Sequence, residues 1–297
     1  MARALATGEQ GATLRAKPKL AYEQSPYRYT IERQGAQSIY RVTDGKSEIR
    51  VPIAWAFGLG AAGQTYVLER KGVFYESRVS YYRTIDGLAL TSGARPSVPR
   101  DLEEAFGREL SEKGAIECFQ CHSTGAIVNG VLRTAELTPG VQCERCHAGA
   151  ARHAEALARG SAHVPPRKLA ALSTEEMSDF CGQCHRTWAQ IAAEGPHNIS
   201  NVRFQPYRLA NSSCYDAADP RIRCVACHDP HKEMAQPLVR YDANCQSCHQ
   251  QAGRKTCRTG KDKCVTCHMP KIEIKETYNA FTDHWIRIAR PGEPHPH

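Results

Sequence analysis

The amino-acid sequence predicts a mixed fold, in which a small antiparallel β meander is followed by a coil-rich, part-helical region. Two observations support this prediction. Short runs that alternate apolar and polar residues, joined by tight-turn dipeptides, fill residues 27–90. After them, the pattern Cys-x-x-Cys-His occurs six times at irregular intervals between Cys118 and His268. The resulting division is an irregular arm (1–26), a β-rich subdomain (27–90), a linker with a short helix (91–112) and a cysteine-rich domain (113–297).

The meander is predicted to have about five strands. They are expected at residues 27–33, 38–42, 48–51, 65–70 and 73–82, with tight turns at Asp44-Gly45 and Lys71-Gly72. An aromatic stripe follows the later strands and consists of Tyr66, Phe74, Tyr75, Tyr81 and Tyr82, with Trp55 before it. This stripe is interpreted as the core of the sheet. A docking surface or an electron relay is the alternative.

Helices are predicted at two places. Asp101 is the expected N-cap of a short helix that runs to residue 110. The stronger helix covers residues 173–194, because Ser173 and Glu176 form a capping box and Gly195-Pro196 ends the pattern. It carries the third motif, whose cysteines and histidine are expected on one face, one turn apart.

The repeated pattern indicates covalent haem attachment. Two thiols three residues apart can add to the two vinyl groups of one haem, and the adjacent histidine then supplies the proximal ligand to iron. The predicted attachment residues are Cys118, Cys121, Cys143, Cys146, Cys181, Cys184, Cys224, Cys227, Cys245, Cys248, Cys264 and Cys267. The predicted proximal ligands are His122, His147, His185, His228, His249 and His268. Zinc is the alternative, but a zinc ribbon does not need a histidine after every second cysteine. The sequence therefore predicts six haem c groups.

Composition agrees with a domain whose core contains cofactor. Aromatic residues make up only 7% of the chain, so haem faces are expected to supply missing apolar mass, and the C-terminal half is expected to be unfolded without them. The formal charge of +8 falls to about +2 once the haem propionates and ferric irons are counted. Because no interleaved basic and aromatic pattern is present, nucleic-acid binding is not expected.

Cysteine usage points to a compartment outside the reducing cytosol, so a periplasmic or extracellular location is predicted. Residues 1–20 contain no apolar core of an export signal, and no run of about 18 apolar residues occurs to form a transmembrane segment. We interpret the chain as a mature, truncated or mis-started form.

The sixth ligand of each iron must come from histidines outside the motifs. The candidates are His153, His231, His284, His163 and His197, whereas His295 and His297 resemble a terminal tail. A histidine only a few residues after a motif cannot easily reach the far side of that motif's own haem, so His153 and His231 are expected to bind neighbouring haems. Met177, Met234 and Met269 are weaker sulfur alternatives. With five histidine candidates for six irons, at least one iron is expected to lack a strong protein ligand, and a small molecule could bind there.

Cys214 and Cys257 stand outside the motifs. A disulfide between them is favoured in an oxidising compartment and would close a loop of about 43 residues, which stabilises by about 4 kcal/mol in the entropic treatment. Two free thiols, or a third thiol at a haem, are the alternatives.

Several phrases around the motifs carry a family resemblance. They are Cys118-Phe-Gln-Cys121-His122-Ser-Thr-Gly, Pro139-Gly-Val-Gln-Cys143, Asn201-Val-Arg-Phe-Gln-Pro-Tyr207, Cys227-His228-Asp-Pro-His231, Cys267-His268-Met-Pro and Phe281-Thr-Asp-His284. With them, the chain resembles multihaem c-type cytochromes of the cytochrome c-554-like group. The resemblance implies low-potential, bis-histidine haems in close-packed pairs, and it supports His153, His231 and His284 as distal ligands. Relatives often carry a further haem motif ahead of the β segment, which agrees with a missing N-terminal piece.

The leading functional prediction is an electron conduit. It would exchange electrons with redox partner proteins or other haem subunits. In one version of this prediction, the chain is the subunit of a homo-oligomeric extracellular filament. Two alternatives stay open. One is a multihaem oxidoreductase that acts on a small nitrogen or sulfur compound at a five-coordinate haem. The other is a haem-stabilised structural module that docks through its β segment.

Overall fold

A computed structural model describes residues 4–7, 11–162, 165, 166, 168–232, 237–250, 257, 260, 262–290 and 292–296. The chain forms two compact units. The first comprises Met1–Arg167 with Lys275–Asn279, and the second comprises Lys168–Ile274 with Ala280–His297. The sequence-based boundary at 112/113 does not coincide with this division, because the first two Cys-x-x-Cys-His motifs belong to the same unit as the β-sheet.

The first unit is built on an antiparallel sheet. Among the described residues its ten strands are β1 (Leu5–Thr7), β2 (Lys19–Gln24), β3 (Tyr27–Gln34), β4 (Gln37–Thr43), β5 (Glu48–Phe57), β6 (Gly63–Arg70), β7 (Val73–Ser77), β8 (Val79–Tyr82), β9 (Gly87–Leu90) and β10 (Gly107–Glu109). Neighbours follow the order β10-β7-β6-β5-β4-β3-β2, while β1 pairs with β5 and β8 pairs with both β6 and β9. The predicted antiparallel sheet is confirmed, but it has ten strands in the described residues rather than about five.

Tight turns set the register of the meander. The Asp44 carboxylate accepts hydrogen bonds from the backbone N–H groups of Lys46 at 2.8 Å and Ser47 at 2.7 Å, which closes the turn between β4 and β5. Between β6 and β7, Lys71 and Gly72 have φ values of 54° and 77°, the left-handed pair that a two-residue hairpin requires. Both turns were predicted from the sequence.

Two β predictions were wrong in detail. The supposedly irregular arm contains β1 and β2, and Leu20 of β2 is buried opposite Ile31 of β3. The sequence did not predict β2 because the strand has few apolar positions and pairs with β3 only in the folded sheet. The predicted strand 73–82 is two strands, split at Arg78, whose buried guanidinium donates to the carbonyl oxygens of Arg95 at 2.9 Å and Ser97 at 2.7 Å.

The core of the first unit contains the aromatic stripe. Tyr66, Tyr81 and Tyr82 are buried, and Phe74 and Tyr75 pack against the two clusters of buried apolar side chains. The interpretation of the stripe as core is confirmed for these positions. Partly buried Trp55 belongs to the same packing, since its ring meets Phe119 edge to face with centroids 5.6 Å apart.

The helices are mostly short. They are α1 (Ala12–Ala16), α2 (Leu102–Phe106), α3 (Glu112–His122), α4 (Cys143–Cys146), α5 (Ala150–Ala158), α6 (Thr174–His185), α7 (Trp188–Glu194), α8 (Gln205–Ala210), α9 (Cys224–Cys227), α10 (Leu238–His249) and α11 (Cys264–His268). Two-residue strands form small hairpin-like pairs between the first two motifs, and a last hairpin joins Lys271–Ile274 to Asn279–Thr282. No helix among the described residues has the length and apolar character needed to cross a membrane.

Two helix predictions were right in their caps, but the first helix is shorter than predicted and the second is interrupted. Asp101 caps α2 by accepting from the Glu104 N–H at 2.8 Å, but the helix ends at Phe106 because Gly107 packs directly against the backbone of Glu76 and continues as a strand. The predicted helix 173–194 begins with the expected Ser173–Glu176 capping box and ends at Gly195.

A break divides that second helix into α6 and α7. Arg186 adopts a φ of 60°, and Thr187 starts a new capping box with Gln190. The local cap competes with continuation of the first helix, so the chain turns directly after the third motif.

Candidate haem-attachment sites

Each of the six motifs has helical backbone over its Cys-x-x-Cys segment. Motifs one, three, five and six reach the last residue of α3, α6, α10 and α11, and motifs two and four form the single turns α4 and α9. Helical residues three apart lie on one side of the helix, so each cysteine pair presents both thiols in one direction with its histidine next to them. This arrangement fits the attachment of one haem per motif.

Three motif histidines and His284 each direct Nδ1 at an oxygen acceptor. The Nδ1 atoms of His122, His268 and His284 lie 3.0, 2.8 and 3.0 Å from backbone carbonyl oxygens, and Nδ1 of His185 lies 3.1 Å from Oε1 of Gln205. The backbone acceptors belong to Ala4, Arg287 and Thr282, respectively. Because these oxygens only accept, Nδ1 donates the hydrogen and Nε2 carries the lone pair that a metal binds. Sequence reasoning missed these acceptors, since they are distant or unmarked in the chain.

In the first unit, the structure brings the first two motifs together. The N–H of Gly140, just before the second motif, donates to the His122 carbonyl oxygen at 3.0 Å. The guanidinium of Arg145, inside the second motif, donates to the Gln120 carbonyl oxygen at 3.3 Å. The His122 ring also packs edge to face on Phe57 of the sheet, with centroids 5.2 Å apart.

In the second unit, the motif helices contact one another in chain order. Helix α6 contacts α9, α9 contacts α10, and α10 contacts α11. Thiols meet at two of these contacts, because Cys181 hydrogen-bonds Cys224 and Cys245 hydrogen-bonds Cys264. The third to sixth motifs therefore form a series in which each motif adjoins the next.

The thiols include groups with raised pKa values. Burial raises the pKa of Cys118 to about 11, and burial together with the hydrogen bond to Asp242 raises that of Cys264 to about 12. Cys224 shows the opposite direction, since its hydrogen bond with Cys181 lowers its pKa.

Asp242 ties the fifth motif to the sixth. It lies on α10, one turn before Cys245, and its buried carboxylate accepts from the backbone N–H groups of Lys263 at 2.7 Å and Cys264 at 2.8 Å. These are the first donors of α11, so Asp242 caps that helix from a neighbouring one.

A second buried carboxylate, Asp283, immediately precedes His284. Asp283 and Arg208 are both fully buried and form two parallel hydrogen bonds of 2.9 and 2.8 Å, while Arg287 donates to the same carboxylate at 2.6 Å. Burial alone would raise the pKa of Asp283, but these hydrogen bonds and one from the Trp285 N–H hold it below its usual value. The chain on the N-terminal side of His284 is thereby fixed.

Among the candidate distal ligands, the structure places His284 against a motif histidine. Its ring centre lies 6.1 Å from that of His228, and burial lowers the pKa of His284 to about 4 and also lowers that of His228. Both rings are thus kept neutral, the form that binds iron.

The other candidates have different settings. His153 lies on α5, which contacts the second motif's α4. His231 is exposed, with Nδ1 3.3 Å from the Asp229 carboxylate, and His197 is exposed. His163 lies outside the described residues, as does His297. Their assignment as iron ligands stays a prediction.

Two further findings concern the remaining cysteines and metal sites. Cys214 and Cys257 are both exposed and are not joined by a disulfide in the described part of the chain, so the bridge stays a prediction. The described residues contain no group of three or more histidine, cysteine, aspartate or glutamate side chains that could hold a metal ion.

Comparison with known proteins gives one match. Residues 97–148, which include the first two motifs, match the family model described as cytochrome c554 and c-prime. No curated protein and no solved structure matches the chain. The family match, together with helical Cys-x-x-Cys-His segments, supports a c-type cytochrome, which is an electron-transfer haem protein with covalently bound haem c.

Proposed function

We propose that this chain is a hexahaem c-type cytochrome that transfers electrons along a stack of covalently bound, mostly bis-histidine haems. The observation that carries the proposal is the common geometry of the motifs, since all six have a helical Cys-x-x-Cys segment followed directly by histidine. When bound, haem supplies reversible one-electron chemistry at iron. The protein's own contribution is to hold the attachment sites side by side and to orient the imidazoles.

The contacts in the second unit support transfer in series. Helices α6, α9, α10 and α11 adjoin in chain order, so neighbouring proposed attachment sites lie close together. Asp242 fixes one of these junctions through two hydrogen bonds. A short series of fixed sites suits electron transfer from one haem to the next.

Thiol attachment of haem takes place in oxidising compartments, so the proposed location is the periplasm or the exterior of the cell. A filament is one proposed form of assembly.

Denaturing mass spectrometry tests the haem count, because covalent haem survives denaturation whereas zinc dissociates. The chain is expected to carry six haems. Replacing both Cys143 and Cys146 with alanine should lower the number to five, and the matched Cys214→Ala variant should retain six. Zinc without haem, or fewer than six haems on the parent chain, would contradict the proposal.

A coulometric titration combined with electron paramagnetic resonance tests the role. An electron carrier should take up six electrons and show low-spin ferric signals that nitrite, hydroxylamine and sulfite leave unchanged. A high-spin signal that shifts with one of these compounds would favour the oxidoreductase alternative.

A further inference from the structure

The imidazoles of His228 and His284 lie close together within the second unit. Their ring centres are 6.1 Å apart and their planes are inclined by 39°. The two residues come from different parts of the chain: His228 completes the fourth motif, and His284 follows the last hairpin after the sixth motif. Their proximity is therefore a product of the tertiary fold.

His284 is held from several directions. Its Nδ1 donates to the Thr282 carbonyl oxygen at 3.0 Å, which leaves Nε2 as the lone-pair nitrogen. Its own carbonyl oxygen accepts from the Ser212 hydroxyl at 3.1 Å, and the preceding Asp283 is locked to Arg208. This ring is supported as metal-bound histidines are, through a hydrogen bond from the nitrogen that does not bind.

His228 presents a different feature. Its backbone N–H donates to the Cys224 carbonyl oxygen at 2.9 Å, and its ring packs on Tyr241 with centroids 5.9 Å apart. Its Nδ1 atom is buried and has no hydrogen-bond partner among the described residues.

From these contacts we infer that His228 and His284 are the two axial ligands of one iron, that of the haem attached at Cys224 and Cys227. An iron–nitrogen bond of about 2 Å, extended on each side to the centre of an imidazole, places two trans rings about 6 Å apart. The observed 6.1 Å agrees with that spacing. The inference rests on the proposed function and adds which iron His284 binds. That iron belongs to the haem at the fourth motif, not to the haem at the sixth motif, which directly precedes His284 in the chain.

Two aromatic rings also pack at about 4.5–7 Å without any metal, so ligand variants must separate the two cases. In the oxidised holoprotein, His284→Ala is expected to convert one haem per chain from low spin to high spin while mass spectrometry still finds six haems. His284→Met should restore a low-spin state and raise the potential of one haem, because a methionine–histidine pair favours ferrous iron. The matched control is His295→Ala, since Nε2 of His295 lies 3.3 Å from Oδ1 of Asn201 and is not expected to bind iron.

Removing the fourth haem identifies the partner iron. In a Cys224→Ala, Cys227→Ala background with five haems, adding His284→Ala should produce no new high-spin signal. A new high-spin signal there would assign His284 to another haem and overturn the pairing, as would an unchanged spectrum of His284→Ala in the six-haem protein. If the five-haem background does not fold, a crystal structure of the holoprotein decides the point by the residues on the two sides of the fourth iron. Absence of covalent haem from the parent chain would instead refute the proposed function.

Discussion

At the scale of single residues, buried polar groups define the candidate sites more sharply than the cysteines do. Nδ1 of His122, His185, His268 and His284 donates to an oxygen, so these imidazoles have a defined tautomer and a defined ring orientation in the folded chain. The buried ion pair between Arg208 and Asp283 likewise fixes the position of the chain next to His284. Arg208 also lies over the Trp285 ring, 4.7 Å from its centroid.

Asp283→Asn should destabilise the holoprotein by about 3–5 kcal/mol, because it leaves the buried Arg208 guanidinium without its carboxylate. The shift in the urea midpoint for the second unit, followed by the haem absorbance, measures this change. Glu155→Gln is the control: its partner Arg159 lies 3.1 Å away at an exposed position, and loss of that pair should change stability by less than about 0.5 kcal/mol. Equal effects of the two variants would show that the Asp283 pair does not stabilise the fold.

At the scale of elements, capping side chains and close packing at a glycine set where the short helices begin and end. Helix α6 stops after its motif because Thr187 starts a new helix and packs on Gly182. Helix α11 starts where Asp242 supplies its cap. In both places, the end of a helix fixes where a Cys-x-x-Cys-His motif lies.

Gly182→Ala should destabilise the second unit by about 1–3 kcal/mol, because an added Cβ would lie 2.7 Å from the Thr187 methyl group and 3.0 Å from its backbone. The gain in helix propensity, about 1 kcal/mol, does not offset that clash. Gly114→Ala in α3 is the matched substitution: the nearest atom, Oγ of Ser111, would lie 3.4 Å away, so stability should rise by up to about 1 kcal/mol. Thermal unfolding of both variants checks the opposite signs, and the same sign for both would contradict the packing argument.

Asp242→Ala should remove both hydrogen bonds to the first turn of α11 and cost about 0.5–2 kcal/mol. Hydrogen exchange at the amides of Lys263 and Cys264 measures the loss locally, and exchange there should accelerate while that in α6 stays unchanged. Asp216→Ala is the control, because Asp216 accepts from a single loop amide at an exposed position. Unchanged exchange in Asp242→Ala would show that the cap is unimportant.

At the scale of the whole molecule, apolar burial is unevenly distributed. Both clusters of buried apolar side chains lie in the first unit. In the described part of the second unit, the buried apolar residues are Met177, Ile191, Val202, Tyr207, Leu209 and Ile274. So small a set cannot offset the conformational entropy of ordering the chain without further apolar mass.

A chain produced without haem attachment is therefore expected to keep its sheet and lose the second unit. Hydrogen exchange should show protected amides in β3 to β6 of both the haem-free and the haem-bound chain, whereas amides of α6, α8 and α10 should be protected only with haem. The sheet amides serve as the internal control. Equal protection of both units in the haem-free chain would contradict this expectation.

What the sequence determined by itself is local chemistry. The six motifs, the turns at Asp44-Gly45 and Lys71-Gly72, and the caps at Asp101 and Ser173 depend on residues adjacent in the chain, so they were readable without a fold. The N-terminal strands, the split at Arg78 and the break after His185 were missed because distant partners or competing caps decide them.

Only the tertiary structure decided which groups meet across long separations. The contact of His284 with His228, the acceptors of the motif histidines and the pairing of Asp283 with Arg208 join residues whose spacing carries no local signal. The physical reason is that covalent attachment of haem needs neighbours in sequence, whereas axial ligation and buried ion pairing need only neighbours in space.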